Sequence, residues 1–275
     1  MKPSKQSIFR RSSSLLIAVS FAMSLSAAHA ASLTWDGNAA TAPNPNGGAG
    51  TWDINTALNW WDGTNNVVWP ILGGTDDDAV FANTAGTVSL AAGGVTANDL
   101  TFSTTGYLIQ SNTLTLNGTT PTITTDTGVS ATINSTISGA AGLVKTGAGT
   151  LTLGVANNYS GGTTLNGGTL NPNNSAALGS GTLTLSGGSL FPTTSGGGYT
   201  YANPVVVTAA TTTTVFGYGG GTNPTFTGAL TGSGTIYVKS DRGSLGNLMI
   251  NGDISGFTGT LSFDINPACK YIHFL

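Results

Sequence analysis

The sequence predicts an all-β protein built as a β-solenoid, and three features support this prediction. Glu is absent, 7% of the residues are charged and 41 of the 275 are Gly, so residues that favour helix surfaces are scarce. Hydrophobic residues still make up 39% of the chain, which is enough material to bury. From about Thr87 onward, short segments such as "GTLTL" (149–153 and 181–185) alternate aliphatic residues with Thr or Ser. This period of two is typical of strands with one buried face.

Residues 1–30 have the pattern of an export signal. Four basic residues precede the apolar segment "LLIAVSFAMSL", which begins at Leu15, and "AHA" at 28–30 supplies the small residues of a cleavage site. The apolar segment is shorter than the roughly 20 residues that a spanning helix needs. We therefore expect a cleaved signal peptide and no membrane span in the mature chain. The expected location is secreted or cell-surface, or periplasmic if further translocation fails.

The mature chain is acidic. Removing residues 1–30 leaves four basic residues, Lys145, Lys239, Arg242 and Lys270, against eleven Asp, so its net charge is −7. This balance argues against nucleic acid and anionic membranes as partners. Cys269 is the only cysteine, so an intrachain disulfide is excluded and stability must come from burial and backbone pairing.

Residues 31–86 contain all five tryptophans of the protein: Trp35, Trp52, Trp60, Trp61 and Trp69. Two interpretations are open. A solenoid must cover the open edge at its first coil, and bulky tryptophans are suited to that role, which predicts an N-terminal cap. Exposed tryptophans also stack on sugar faces, which predicts a platform for a glycan or extracellular matrix.

The region 87–266 is predicted to form the solenoid itself. Two of its segments resemble each other, 142–170 and a degenerate copy at 232–263, with Lys145 aligned to Lys239. Fixed self-similarity among short strands indicates a repeat array. Gly allows the positive φ angles of crowded turns, and the scarcity of charge avoids stacking like charges on one another.

Three motifs carry a family resemblance: "KTGAGTLTL" (145–153), "NNYSGGTT" (157–164) and "NGGTL" (166–170). Together they resemble the autotransporter-associated β-strand repeat of bacterial autotransporter passenger regions. The resemblance implies a right-handed parallel β-helix that is exported and then displayed on the cell or released. It implies little about activity.

The tail at 267–275 breaks this texture. It holds Cys269 and His273, the only His outside the predicted signal peptide. The abrupt change indicates a truncated or frame-shifted copy, although a short genuine tail is the alternative. An inactive truncated passenger fragment therefore remains one interpretation of the chain.

Two clusters have the residue types of functional sites. Asp76, Asp77 and Asp78 offer hard oxygen ligands for calcium, and the alternative is a solvated loop before the strand at Ala79. The second cluster is the most suitable catalytic candidate for a polysaccharide lyase or hydrolase, and the alternative is a salt-bridged loop; it consists of Lys239, Asp241 and Arg242. We expect no cofactor and no catalytic site. The predicted function is an exported structural or adhesive module presenting Thr, Ser and Asn to a glycan, a matrix or a neighbouring cell.

Overall fold

A computed structural model describes residues 31–37, 45–69, 77–192, 198–219, 224–240, 246–263 and 272–274. Within these ranges every regular element is a β-strand, which confirms the all-β prediction. The strands in chain order are β1 (Ser32–Trp35), β2 (Gly50–Trp52), β3 (Trp60–Trp61), β4 (Asn66–Val67), β5 (Asp78–Phe81), β6 (Thr87–Leu90), β7 (Val95–Ala97), β8 (Leu100–Phe102), β9 (Leu108–Ser111), β10 (Thr113–Leu116), β11 (Thr122–Thr125), β12 (Ser130–Ile133), β13 (Thr136–Ser138), β14 (Leu143–Thr146), β15 (Thr150–Leu153), β16 (Thr163–Leu165), β17 (Thr169–Pro172), β18 (Leu183–Leu185), β19 (Ser189–Leu190), β20 (Thr200–Tyr201), β21 (Val205–Val207), β22 (Thr212–Gly219), β23 (Thr225–Phe226), β24 (Leu230–Gly232), β25 (Thr235–Ser240), β26 (Gly246–Ile250), β27 (Thr260–Phe263) and β28 (Ile272–Phe274).

The strands form the sides of a coil. Sheet A has 11 strands in the order β24-β21-β18-β16-β14-β11-β8-β5-β1-β3-β4. Sheet B runs through β2-β6-β9-β12-β15-β17-β19-β22 and continues through β25 to β27. Strands β7, β10 and β13 form a third side. Nearer the C-terminal end, this side consists of β20, β23, β26 and β28. Consecutive strands of one side therefore belong to consecutive coils.

Each coil pairs in parallel with the next. Lys145 is in register with Leu165 and Leu165 with Leu185, each 20 residues further along the chain. Parallel neighbours lie about 4.8 Å apart, so one coil adds that distance to the stack. Within β15 the side chains of Leu151 and Leu153 are buried and those of the intervening threonines are half-exposed. The parallel β-solenoid is confirmed, and its right hand stays a prediction.

The N-terminal end is closed by a cap. Strands β3 and β4 form an antiparallel hairpin that pairs with β1 and covers the edge of sheet A. Behind it, the ring centroid of Trp60 lies 5.1 Å from Trp35, 4.9 Å from Trp52 and 4.6 Å from Trp69. These four indole rings are at most 1% exposed. The cap interpretation is confirmed: the hairpin covers the edge of sheet A, and the buried aromatic cluster fills the coil beside it.

The similarity between 142–170 and 232–263 does not reflect equivalent places in the coil. Lys145 lies in β14 of sheet A and is buried, whereas Lys239 lies in β25 of sheet B and is exposed. Leu165 and Leu261 are likewise in different sheets. The structural repeat is the single coil, because the sequence Leu-Thr-Leu occurs in strands on three different sides, β10, β15 and β18. The domain boundaries at 30, 86 and 266 remain predictions.

Candidate adhesive surface

An unbroken column of hydroxyl side chains runs along the outer face of sheet B. The parallel registers place one hydroxyl-bearing residue of each of seven consecutive strands, β12 to β27, in line. We call these residues the hydroxyl ladder: Ser130, Thr150, Thr169, Ser189, Thr214, Tyr237 and Ser262. The spacing of about 4.8 Å between neighbouring strands makes the ladder a periodic array of donors and acceptors.

The ladder follows from the same alternation that builds the core. In β15, Leu151 and Leu153 point inward, so Thr150 and Thr152 must point outward. Thr suits this surface because its branched side chain packs on a pleated sheet. The in-register stacking of coils then aligns the outward residues automatically, and no residue of the ladder is exposed by a special loop.

The ladder differs from the outer columns on the other sides. In sheet A the corresponding column is interrupted by Val144 and Val206. Elsewhere, outward hydroxyls bond one another: Thr124 Oγ1 lies 2.9 Å from Thr146 Oγ1. Within the part of the chain that the structure describes, none of the seven ladder hydroxyls has such a side-chain partner. The ladder hydroxyls are therefore available to a ligand.

The outer face of sheet B is also nearly uncharged. Among the described residues its strands contribute one charged side chain, the exposed Lys239 at the end of β25. Asp241 and Arg242, the other members of the predicted catalytic cluster, lie outside the described residues. A nearly uncharged, hydroxylated face suits hydrogen bonding to a neutral polar surface.

The tryptophan platform predicted from the sequence is wrong for four of the five residues. Trp35, Trp52, Trp60 and Trp69 are at most 1% exposed, so no ligand can stack on their faces. Two of them also use their indole N–H inside the protein: Trp35 donates to Gly48 O at 2.9 Å and Trp69 to Thr96 O at 2.9 Å. Only Trp61 is partly exposed. The physical reason is that large aromatic rings stabilise the first coil strongly when they are buried and contribute little when they are exposed.

The aspartates proposed for calcium make contacts within the protein. Asp77 is 5% exposed, so the solvated-loop interpretation is wrong for this residue, and its Oδ1 accepts a hydrogen bond from Ala31 N at 3.1 Å. Oδ1 of Asp78 accepts from Asn98 Nδ2 at 2.9 Å and from Asp99 N at 3.1 Å. Asp76 lies outside the described residues. No cluster of potential metal ligands occurs among the residues with a described position.

Lys145 is a buried cation. The sequence had indicated it only as a position shared by the two similar segments. It occupies an inward place in sheet A, in a column whose other members include Leu100, Ile123, Leu165 and Leu185. Its exposed fraction is 0%. Period-two alternation from the inward Leu143 would have placed Lys145 inward as well, so the signal was present in the sequence.

Three backbone carbonyls surround the Lys145 amine. Nζ donates to Thr146 O at 2.5 Å, Gly147 O at 3.2 Å and Gly167 O at 3.4 Å. The first carbonyl belongs to the last residue of β14, the second to the turn after β14 and the third to the same turn of the next coil. Lys145 therefore links two coils at one corner, and burial lowers the pKa of its amine to about 8.

The segment around Lys145 matches a known family. The passenger-associated-transport-repeat family matches residues 143–171, which run from the start of β14 into β17. Residues 143–171 are thus similar to a passenger repeat. This confirms the predicted resemblance to an autotransporter passenger repeat protein and places the best copy, 142–170, almost where the sequence predicted it. The matched segment spans about one and a half coils of 20 residues each, and Lys145 joins the two coils in which it lies.

A curated relative extends the similarity. Over 148 residues the chain is 44% identical to the adhesin BmaC autotransporter of Brucella suis biovar 1 (strain 1330). The aligned region covers 53% of this chain and 4% of that protein, so the chain spans a small fraction of the relative's length. No solved structure matches the chain. In the described part of the chain, no helix is long and apolar enough to cross a membrane.

Burial of Lys145 predicts that the stability of the protein changes with pH in the alkaline range. In the unfolded chain the amine keeps its proton up to its ordinary pKa of 10.5, whereas the folded protein releases it near pH 8. Unfolding between these values takes up a proton, so the free energy of unfolding rises with pH. We expect wild type to gain about 2 kcal/mol relative to Lys145→Met between pH 8 and pH 10.

The measurement is urea unfolding of both proteins at the two pH values. Because both proteins contain the same tyrosines, the difference isolates the lysine. The control is Lys239→Met, which removes an equal charge from an exposed site. The gain of wild type relative to Lys239→Met between pH 8 and pH 10 should be near zero. A wild type that gains nothing over Lys145→Met would contradict the buried placement of the amine.

Proposed function

We propose that this chain is an exported, adhesive passenger-like module and that the hydroxyl ladder is its binding face. The observation that carries the proposal is the unbroken column of seven hydroxyls on a nearly uncharged sheet. Three further findings support it: the passenger repeat, the similarity to a protein named as an adhesin, and the signal-like pattern at 1–30.

The chemistry of the face favours a neutral glycan as the ligand. Hydroxyls both donate and accept hydrogen bonds, so an array of them is complementary to a repeating polymer that also carries hydroxyls. Each hydrogen bond contributes about 0.5–1.5 kcal/mol, and a periodic ligand makes several at once. The net charge of −7 in the mature chain repels anionic polymers. Neutral polysaccharides should therefore bind better than acidic ones.

The test removes hydroxyls while keeping the shape of the strands. The triple variant Thr150→Val, Thr169→Val and Thr214→Val replaces three ladder residues with near-isosteric side chains that favour strands. We expect it to bind an immobilised neutral polysaccharide at least about tenfold more weakly than wild type. The readout is the dissociation constant on a panel of neutral and acidic polysaccharides.

The matched control carries the same three changes on the other sheet. Thr164, Thr184 and Thr231 are outward residues of sheet A in register with one another through Val206. Their replacement by Val should leave binding unchanged. Equal losses in the two triple variants, or no loss in either, would refute the ladder as the binding face.

The same panel tests the enzymatic alternative. A polysaccharide-cleaving enzyme on this solenoid would release reducing ends or unsaturated products, and Asp241→Ala would abolish the release. An adhesive module leaves the polymer intact with every variant. Product formation that depends on Asp241 would replace the proposed function by catalysis.

A further inference from the structure

The backbone nitrogen of Ala31 contacts a buried carboxylate. Ala31 N donates to Asp77 Oδ1 at 3.1 Å, and Asp77 is 5% exposed. On the other side of the same residue, Ala31 O accepts from Asp78 N at 2.8 Å. Ala31 thus lies directly before β1, and both of its backbone groups bond to Asp77 and Asp78 at the beginning of β5 in the next coil.

This nitrogen is the atom that export would change chemically. The sequence "AHA" at 28–30 predicts cleavage directly before Ala31. A signal peptidase hydrolyses the Ala30–Ala31 bond: the C–N bond breaks, the hydroxyl of water joins the Ala30 carbonyl carbon, and the nitrogen takes up protons to become an ammonium. A neutral amide N–H would then be an α-ammonium in the same place.

We propose that Asp77 is the docking site for the new α-ammonium group of Ala31, so that processing adds an ion pair between the first two coils. Charge-assisted hydrogen bonds are roughly twice as strong as neutral ones, and a partly buried pair is weakly screened. Cleavage would then strengthen the contact between β1 and β5 where the cap begins. The inference rests on the export part of the proposed function and is independent of glycan binding.

The contact assigns a different role to the aspartate run than calcium binding. Asp77 faces Ala31 N, whereas Asp78 Oδ1 faces Asn98 and the backbone of Asp99 in the following coil. Among the described residues, Asp78 and Asp99 also lie at this corner, and burial raises the pKa of the Asp99 carboxyl, with a smaller contribution from the nearby Asp78. A positive group at Ala31 would offset this accumulation of negative charge.

The first experiment determines the N-terminus and its reactivity in the exported full chain. The intact mass and N-terminal sequence should show a protein that begins at Ala31. At pH 7, the α-amine should be acylated about tenfold more slowly in wild type than in Asp77→Asn, because pairing holds the amine in its protonated, unreactive form. The N-terminal peptide is quantified by mass spectrometry.

The control is Asp126→Asn, which makes the same chemical change at an exposed aspartate. It should leave the acylation rate as in wild type. A chain that begins elsewhere overturns the proposal at the cleavage step, whereas a chain that begins at Ala31 with equal rates in all three proteins overturns the docking step. Neither result bears on polysaccharide binding, so failure of this inference and failure of the proposed function are distinguishable.

A second measurement covers the case in which Asp77→Asn fails to fold. N-terminal acetylation of the processed wild-type chain removes the charge and leaves Asp77 in place. We expect acetylation to lower the thermal midpoint by about 3–8 °C. An unchanged midpoint would overturn the ion pair.

Discussion

Replacing Trp60 with Ala is expected to lower the free energy of unfolding by about 4 kcal/mol. The ring is 1% exposed and lies within 5.1 Å of three other indoles, measured between centroids. Its removal leaves a cavity in the cap that the hairpin of β3 and β4 cannot fill by a small shift. Denaturant unfolding followed by circular dichroism measures the change.

The next residue in the chain is a matched control. Trp61 belongs to the same strand but points the other way and is partly exposed. Its replacement by Ala should cost about 1 kcal/mol or less, because little apolar surface leaves contact with the core. If the two variants lose equal stability, the indole cluster does not organise the first coil.

Replacing Gly168 with Ala is expected to lower the free energy of unfolding by roughly 3–5 kcal/mol. Gly168 has a φ of +63°, and a Cβ there would lie under 3.0 Å from the carbonyl oxygens of Gly149 and Gly147 and from Lys145 Nζ. The strained backbone and the clash both act at the corner where Lys145 joins two coils. Thermal unfolding and urea unfolding both report the loss.

Gly128 separates the two causes. Its φ is +78°, similar to that of Gly168, but a Cβ there would meet nothing within 4 Å. Gly128→Ala therefore shows the backbone strain alone, about 1–2 kcal/mol. A Gly168→Ala variant no less stable than Gly128→Ala would show that adjacent coils are not packed as closely at this corner as the structure has them.

Several features could be predicted because they depend on neighbouring residues in the chain. The alternation in "GTLTL" predicts a strand with one buried face, and the lack of Glu argues against helices. The motifs at 145–170 predicted the passenger repeat. The presence of Thr and Ser on outward positions followed from the same alternation, although their alignment into one ladder did not.

Other features depended on which coil neighbours which. Sequence similarity alone aligned Lys145 with Lys239, but the coil register places one inside sheet A and the other outside sheet B. The Trp residues gave two interpretations, because a cap and a platform need the same residue type. Asp77 looked like a loop ligand until its contact with Ala31, 46 residues away, was known.

By itself, the sequence determined the all-β class, the two faces of the segments with clear alternation and the similarity of one segment to a passenger repeat. These properties are local, since a strand's two faces are set by a period of two along the backbone. Only the tertiary structure decided that seven hydroxyls form one column, that four tryptophans are buried together and that a lysine bridges two coils. Those arrangements are set by pairing between coils about 20 residues apart, and a shift of one residue in that register would turn each side chain to the opposite face.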